Sequence, residues 1–373
     1  MAENCCVRVF TFLGQDHKLD EIMLVINARF LTQKIAGVQR YAIELSKELK
    51  KITPSIKFIT PRNVIHHALA EELGAERYGI LTGHLWEQIE LLSYLRENNS
   101  PLLLNFSGLS PLLYRNKITT IFDLSFLRHP EWFSKEYYHF YKTLLPWSIK
   151  YSVALITISN YSKKEINELL QVPLDRMHVV YCSVPEIFRN ITNEIKLGKR
   201  YVLSVSSIDP RKNFKNLILA FNRLDIEDLE LIIVGSDHSV FKNQDLKKVI
   251  QSNKHTHFTG YLSDDELAQL YKNAMLFIYP SLYEGFGIPP LEAMAFGCPT
   301  IVSNITSLPE VCGDAAYYVD PYDINDIAKG MKEVLENDNL RSNLINKGYD
   351  RVKLFSWDKS AMKIIEVIKK YEV

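Results

Sequence analysis

Short, uninterrupted apolar runs alternate along this chain with longer stretches in which apolar residues return every three or four positions. Ile22–Asn27, Ser55–Thr60, Leu102–Asn105, Ile118–Asp123, Ala154–Ile158 and Val179–Tyr181 read as strands buried on both faces. After the first of them, Val38, Tyr41, Ala42, Leu45 and Leu49 recur at helical spacing, and Ser159 caps a predicted helix over Tyr161–Leu170. Pro185–Lys199 has few regular apolar positions and reads as a linker. The alternation then resumes with strands at Tyr201–Val205, Leu231–Val234, Met275–Tyr279 and Thr300–Val302, and helices over Phe214–Leu224, Ile324–Leu335 and Asp358–Lys370. Ser263-Asp264-Asp265-Glu266 is a capping box opening one more helix. Strands alternating with amphipathic helices imply parallel α/β sheets, so the pattern predicts two doubly wound halves.

The length of 373 residues agrees with two domains. Lys plus Arg equals Asp plus Glu, 44 of each, so no global field attracts nucleic acid and any phosphate recognition must be local. The five cysteines (Cys5, Cys6, Cys182, Cys298, Cys312) have no metal-binding spacing and read as reduced cytoplasmic thiols. No apolar run approaches the ~20 residues of a membrane span, and Val7–Leu13 is too short and broken for a signal peptide. Residues 1–22 look unlike the rest and read as an atypical extension, with Met23 the expected natural start. Tyr137–Tyr151 is crowded with aromatics beside lysines, which suits peripheral contact with the inner face of a membrane. Core packing with a solvated face is the favoured alternative, because Pro146 is expected to interrupt a long amphipathic face. Trp86-Glu87-Gln88 reads as packing plus surface; Arg29 and Arg40 read equally as cleft residues or surface ion pairs.

Phe277–Ser303 carries the densest chemistry. Glu284-Gly285-Phe286-Gly287 follows a strand as a loop whose glycines let main chain approach a ligand. Pro289-Pro290 then open a short helix, Leu291–Phe296, which Gly297 closes. Open α/β sheets take ligands beyond the carboxyl ends of their strands, and a helix N-terminus favours an anion. Glu284 and Glu292 frame the unit, and carboxylates accept hydrogen bonds from sugar hydroxyls. Phosphate and polyol recognised together describe a nucleotide-sugar. Arg211-Lys212, at another strand-to-helix turn, add a fork and a point charge suited to phosphate.

Glu-Gly-Phe-Gly followed by Pro-Leu-Glu-Ala-Met-Ala, with seven residues between the two glutamates, closely resembles the donor-site motif of retaining glycosyltransferase family 4. Its members have the GT-B fold, two Rossmann-like domains whose parallel sheets face a central cleft, with a C-terminal helix crossing back to the first domain. The resemblance implies an acceptor-side domain over 23–185, a donor-binding domain over 200–355 and a returning helix over 356–373. It implies that Glu284 meets the transferred sugar and Glu292 the ribose, while the main chain of Gly285, Phe286, Gly287, Ile288 and Leu291 faces sugar and phosphates. Lys212, beside Arg211, corresponds to the diphosphate lysine. The Gly37 turn approaches the diphosphate, and the main chain at Tyr261 and Leu262 lies beside the base. Gly235, at the turn after a strand, and Asp123, at a strand end, complete the expected lining. Two departures stand out. Phe122 replaces a histidine that many members carry before the aspartate, and Ser206-Ser207 stands where some have a further arginine.

The activity so implied is metal-independent transfer of a hexose, with retention, to a glycan or polyprenyl-linked sugar acceptor. Gly37-Val38-Gln39-Arg40-Tyr41 and Asp123-Leu124-Ser125-Phe126-Leu127-Arg128 look most like mannosyltransferases of bacterial surface polysaccharide assembly, making GDP-mannose the first expectation for the donor and a UDP-hexose the second. The rival reading is a catalytically silent nucleotide-sugar-binding protein.

Overall fold

The computed structural model describes residues 23–189, 198, 200–235 and 255–371. The 1–22 extension, Cys5, Cys6 and most of the expected linker lie outside the described residues. Seven strands form one sheet: β1 (Leu24–Asn27), β2 (Lys57–Thr60), β3 (Glu76–Arg77), β4 (Leu102–Asn105), β5 (Lys117–Thr120), β6 (Ala154–Thr157) and β7 (Met177–Val179). Six form the other: β8 (Arg200–Val205), β9 (Leu229–Val234), β10 (Thr256–Gly260), β11 (Leu276–Tyr279), β12 (Thr300–Ser303) and β13 (Tyr317–Val319). The orders are β3-β2-β1-β4-β5-β6-β7 and β10-β9-β8-β11-β12-β13, with all neighbours parallel. The apolar runs are central strands buried throughout, as at β1, β4, β6 and β11. Each sheet winds outward in both directions from its first strand. The topological switch points therefore lie between β1 and β4 and between β8 and β11.

Helix Gly37–Ile52 buries Tyr41, Ala42, Leu45 and Leu49, the spacing that predicted it. The last helix, Trp357–Tyr371, crosses back onto the first domain and lies against Gly37–Ile52. Trp357 Nε1 donates to the Val184 carbonyl at 3.0 Å and Ser360 Oγ to that of Tyr181 at 2.8 Å. Its apolar face, including Ile364, Ile365 and Ile368, is buried, and full burial of one such side chain is worth about 1.5–3 kcal/mol. One continuous apolar core includes Tyr41, Val180, Phe286, Leu291 and Trp357, so it runs through both halves.

Three local expectations change. Pro146 does not end its helix, which runs without a break over Lys135–Lys150. Ser134 caps that helix and Leu145, Ser148 and Ile149 anchor its inner face, while Pro146 sits on the exposed side. The expected linker begins with a short helix, Glu186–Arg189. Glu87 is not a surface residue but wholly buried, at the start of a π-helical segment, Glu87–Leu91.

Candidate active site

β11 ends at Tyr279, and the chain turns through a short loop into helix Ile288–Ala295. Gly287 caps that helix with φ of 104°, and a Cβ there would stand 2.6 Å from the Leu308 side chain, so glycine is required on both counts. The Ser307 hydroxyl lies 2.9 Å from the carbonyls of both Glu284 and Phe286, fixing the loop.

Glu284 is thereby held beneath the loop, 8% exposed. Its Oε1 accepts from Lys212 Nζ at 2.6 Å, and the same ammonium donates to the Tyr279 hydroxyl at 2.8 Å. Lys212 ends a 3-10 turn, Pro210–Lys212, which Asp209 caps by accepting from the Arg211 amide at 3.0 Å. The Arg211 guanidinium forks onto Asp209 at 3.0 and 3.2 Å and comes within 3.9 Å of Asp123 in the first domain. Burial opposes both charges of the Arg211–Asp209 pair. Their mutual hydrogen bonds prevail, holding Asp209 below the usual carboxylate range and raising Arg211 further. Lys212 follows β8 and Glu284 follows β11, so their ion pair marks the switch point of the second sheet.

Glu292 sits one turn inside helix Ile288–Ala295, where its carboxylate accepts from the Tyr271 hydroxyl at 2.9 Å. Burial raises its carboxyl to about 7, against the opposing pull of Tyr271 and Arg40. Gly285 is where the domains meet. Its carbonyl accepts from Ser159 Oγ at 2.7 Å and Ser162 Oγ at 3.2 Å, and a Cβ on it would lie 2.8 Å from the Phe122 carbonyl and 3.1 Å from Asp123 Cβ. Phe122 itself stacks edge-on against Tyr41 at 5.2 Å, filling with apolar contact the place of the expected histidine. Asp123 Oδ1 accepts from the Ser125 amide at 2.9 Å.

The remaining expected residues divide by what they expose. Phe286 and Leu291 point into the core, leaving only their main chain for a ligand. Ile288 is the first residue of its helix and half-buried. Gly37 opens its helix with free space around the position of a Cβ, whereas Gly235 is needed for packing, because a Cβ there would overlap the Ser206 carbonyl at 1.8 Å. Tyr261 is 73% exposed beside half-buried Leu262, just before the capped helix Asp264–Asn273. Arg40 is an interdomain residue, pairing with Asp264 at 2.9 Å. Among the described residues, no group of three His, Cys, Asp or Glu side chains is placed to hold a metal ion.

Two constellations escaped the sequence reading. Glu310 of the second domain reaches across to the N-terminus of helix Asn160–Leu170, accepting from the amides of Asn160 at 2.8 Å and Tyr161 at 3.0 Å and from the Tyr181 hydroxyl at 3.0 Å. Buried Glu87 gathers Asn27, Arg29 and His84 at the ends of the first sheet's central strands. The spacing of His84 and Glu87, one helical turn apart, was the available signal; Glu310 offered none.

A model of the glycosyl transferases group 1 family matches residues 188–351. The O-antigen chain mannosyltransferase B of Escherichia coli is 31% identical over 265 residues, 68% of this chain and 70% of that protein. The O-antigen chain mannosyltransferase RfbU of Salmonella typhimurium is 27% identical over 329 residues, 83% of this chain and 90% of the relative. The serotype-specific mannosyltransferase WbdA of Escherichia coli matches at 33%, but over only 28% of its own length. Sucrose-phosphate synthase from Thermosynechococcus elongatus superposes with a TM-score of 0.71 at 18% identity, covering 93% of this chain and 98% of that one. The lipopolysaccharide glycosyltransferase WaaG gives 0.69 at 15%, covering 93% and 99%. At such identities the structural likeness speaks for the fold, which is GT-B. The family follows from sequence, and by its extended match to mannosyltransferase B this chain belongs to the group 1 glycosyl transferases.

Proposed function

We propose that the chain transfers a hexose, mannose from GDP-mannose in the first place, to a glycan or polyprenyl-linked sugar, with retention and without a metal. The observation that carries this reading is the buried Lys212–Glu284 pair at the second sheet's switch point, with Glu292 on the adjoining helix. A diphosphate placed against Lys212 and Arg211 finds charged N–H donors held in place by Glu284 and Asp209, which can meet the negative charge that develops as it leaves. The bond from the sugar's anomeric carbon to the phosphate oxygen breaks, and a bond to the acceptor oxygen forms. As the family resemblance implies, the acceptor's proton passes to the departing phosphate oxygen. Mannose ranks first because two relatives matched over most of this chain carry that activity in their names; a UDP-hexose is the alternative donor.

Peripheral attachment to an anionic lipid surface belongs to the same reading. Helix Lys135–Lys150 exposes Trp147, and Leu113 is 73% exposed. Lys150 lies over Trp147 and Arg115 over Tyr151, rings and cations together as an interface favours. Among the described residues no helix is long and apolar enough to cross a membrane.

The test is a thermal-shift panel of GDP-, UDP- and ADP-sugars, since a ligand of the folded state raises its melting temperature, followed by donor turnover with and without EDTA. Stabilisation by GDP-mannose and hydrolysis that survives EDTA are expected. No response to any nucleotide-sugar would overturn the reading, and activity abolished by EDTA and restored by manganese would overturn metal independence.

A further inference from the structure

We propose that His84, Glu87 and Arg29, with the ring of Phe140, form the subsite that holds the acceptor, and that the acceptor group held there is an uncharged sugar. This rests on the transferase reading above. It begins from topology. Open parallel sheets take ligands at their switch points, and this chain has two, facing one cleft. The second sheet's holds Lys212 and Glu284. The first sheet's lies between β1 and β4, whose last residues are Asn27 and Asn105, both buried and joined by an amide hydrogen bond of 2.7 Å.

One carboxylate gathers the polar groups at the end of β1. Glu87 is wholly buried at the start of the π-helical segment, a feature that recurs at functional sites. Its Oε1 accepts from Asn27 Nδ2 at 2.8 Å and Arg29 Nε at 2.9 Å, and its Oε2 lies 2.8 Å from His84 Nδ1. The carboxylate can only accept, so Nδ1 donates to Glu87, and the other ring nitrogen, Nε2, is left for a ligand. The His84 side chain is 36% exposed. Arg29 is 12% exposed, and its terminal nitrogens have no hydrogen-bond partner among the described residues. A hollow of about 20 Å³ opens against Arg29, Gln33, Gln39 and Ser107, enough for one group the size of water or a hydroxyl.

The chemistry of the ligand follows from the charge count. Arg29 already has its counter-charge in Glu87, so the subsite offers the spare N–H groups of Arg29 and the second ring nitrogen of His84 rather than an unopposed cation. Sugar hydroxyls, which both donate and accept, match that pattern. The Phe140 ring, 40% exposed and 5.5 Å from His84, supplies an apolar wall. From Phe140 the rings of Tyr141 and Tyr137 follow at 5.4 and 4.4 Å, and Tyr137 lies near enough to Asp123 and Arg211 to feel both charges. A strip of rings thus leads from the subsite to the phosphate-binding side of the cleft.

The experiment is saturation-transfer NMR on the full chain with GDP present. The probes are methyl α-glycosides of mannose, glucose, galactose and N-acetylglucosamine, with mannose 6-phosphate as the anionic control. His84→Ala and Phe140→Ala both alter exposed side chains, and circular dichroism melting confirms that each variant folds. At least one neutral glycoside should bind the wild type, and its affinity should fall about fivefold in His84→Ala, the loss of one hydrogen bond, and also in Phe140→Ala. His84→Gln, which keeps a polar acceptor, should recover part of it. The proposal is overturned if no neutral glycoside binds, if only mannose 6-phosphate does, or if binding is unchanged in both variants. Failure of the transferase reading shows separately, as wild-type protein that neither binds nor hydrolyses any nucleotide-sugar.

Discussion

Replacing Glu292 by glutamine tests the ribose assignment through the proton the carboxyl carries. Burial lifts this group from its ordinary 4.5 to about 7. Between those values the folded chain holds a proton that the unfolded chain has released, so stability falls as pH rises. The favourable contribution is complete below pH 4.5 and gone by about pH 7. At 1.36 kcal/mol per unit, a displacement of about two and a half units corresponds to roughly 3 kcal/mol. Glutamine keeps an oxygen for the Tyr271 hydroxyl and cannot ionise. The variant should therefore gain on the wild type by roughly 3 kcal/mol between pH 4.5 and pH 8, read as the difference between two urea-unfolding series. Nucleotide binding should move the other way. We propose that Glu292 accepts from the ribose hydroxyls, for which the ionised form is the stronger acceptor, so wild-type affinity for GDP should rise by up to about tenfold per pH unit below 7 and then level off, while the variant stays weak and flat relative to it. Calorimetric titrations of both proteins across this range supply the ratio. A stability difference independent of pH, or equal pH dependence of GDP binding in both proteins, refutes the reasoning.

Glu284→Gln frees Lys212 from its ion partner at 2.6 Å. Affinity for free GDP should hold or tighten, while donor turnover falls about ten- to hundredfold, the worth of a hydrogen bond to a charged group; equal losses for both ligands in calorimetry and turnover assays would count against the sugar role. Phe122→Ala should cost about 2–3 kcal/mol through lost contact with Tyr41 and leave GDP affinity within twofold, checked by denaturation and titration. Gly285→Ala suits the backbone, which is not at positive φ there, but places a methyl against the Phe122 carbonyl. It should hold the domains apart, so that small-angle scattering gives a larger radius of gyration than wild type at saturating donor; identical radii would show that this contact does not limit closure.

Much of this was legible because burial and periodicity are local. The runs that became β1, β4, β6 and β11 announce central strands, and the donor unit fits inside Phe277–Ser303, where adjacent residues build strand, loop and helix together. The chemistry of the first domain was not. Glu87 sits between a tryptophan and a glutamine in a helical stretch, and its burial depends on Asn27, 60 positions away. Nothing in a window around it records that partner. Pro146 misled for a related reason: a proline removes one hydrogen bond, and the buried face around Leu145 and Ile149 outweighs it. Arg40 looked like a cleft or surface residue and is neither alone, since its partner Asp264 stands 224 positions away.

Glu310 gives the contact between the two domains a dependence on the medium. The helix Asn160–Leu170 belongs to one domain and the acid at its positive end to the other. Opening the cleft parts a charge from a dipole and hands two amides to water. The contact lies at the solvent-facing rim, where screening acts over a Debye length of about 8 Å at physiological ionic strength. Added electrolyte therefore loosens this joint while leaving the buried Lys212–Glu284 pair almost untouched. Higher ionic strength is therefore expected to ease separation of the two domains at this rim, a change that small-angle scattering across a salt series would register.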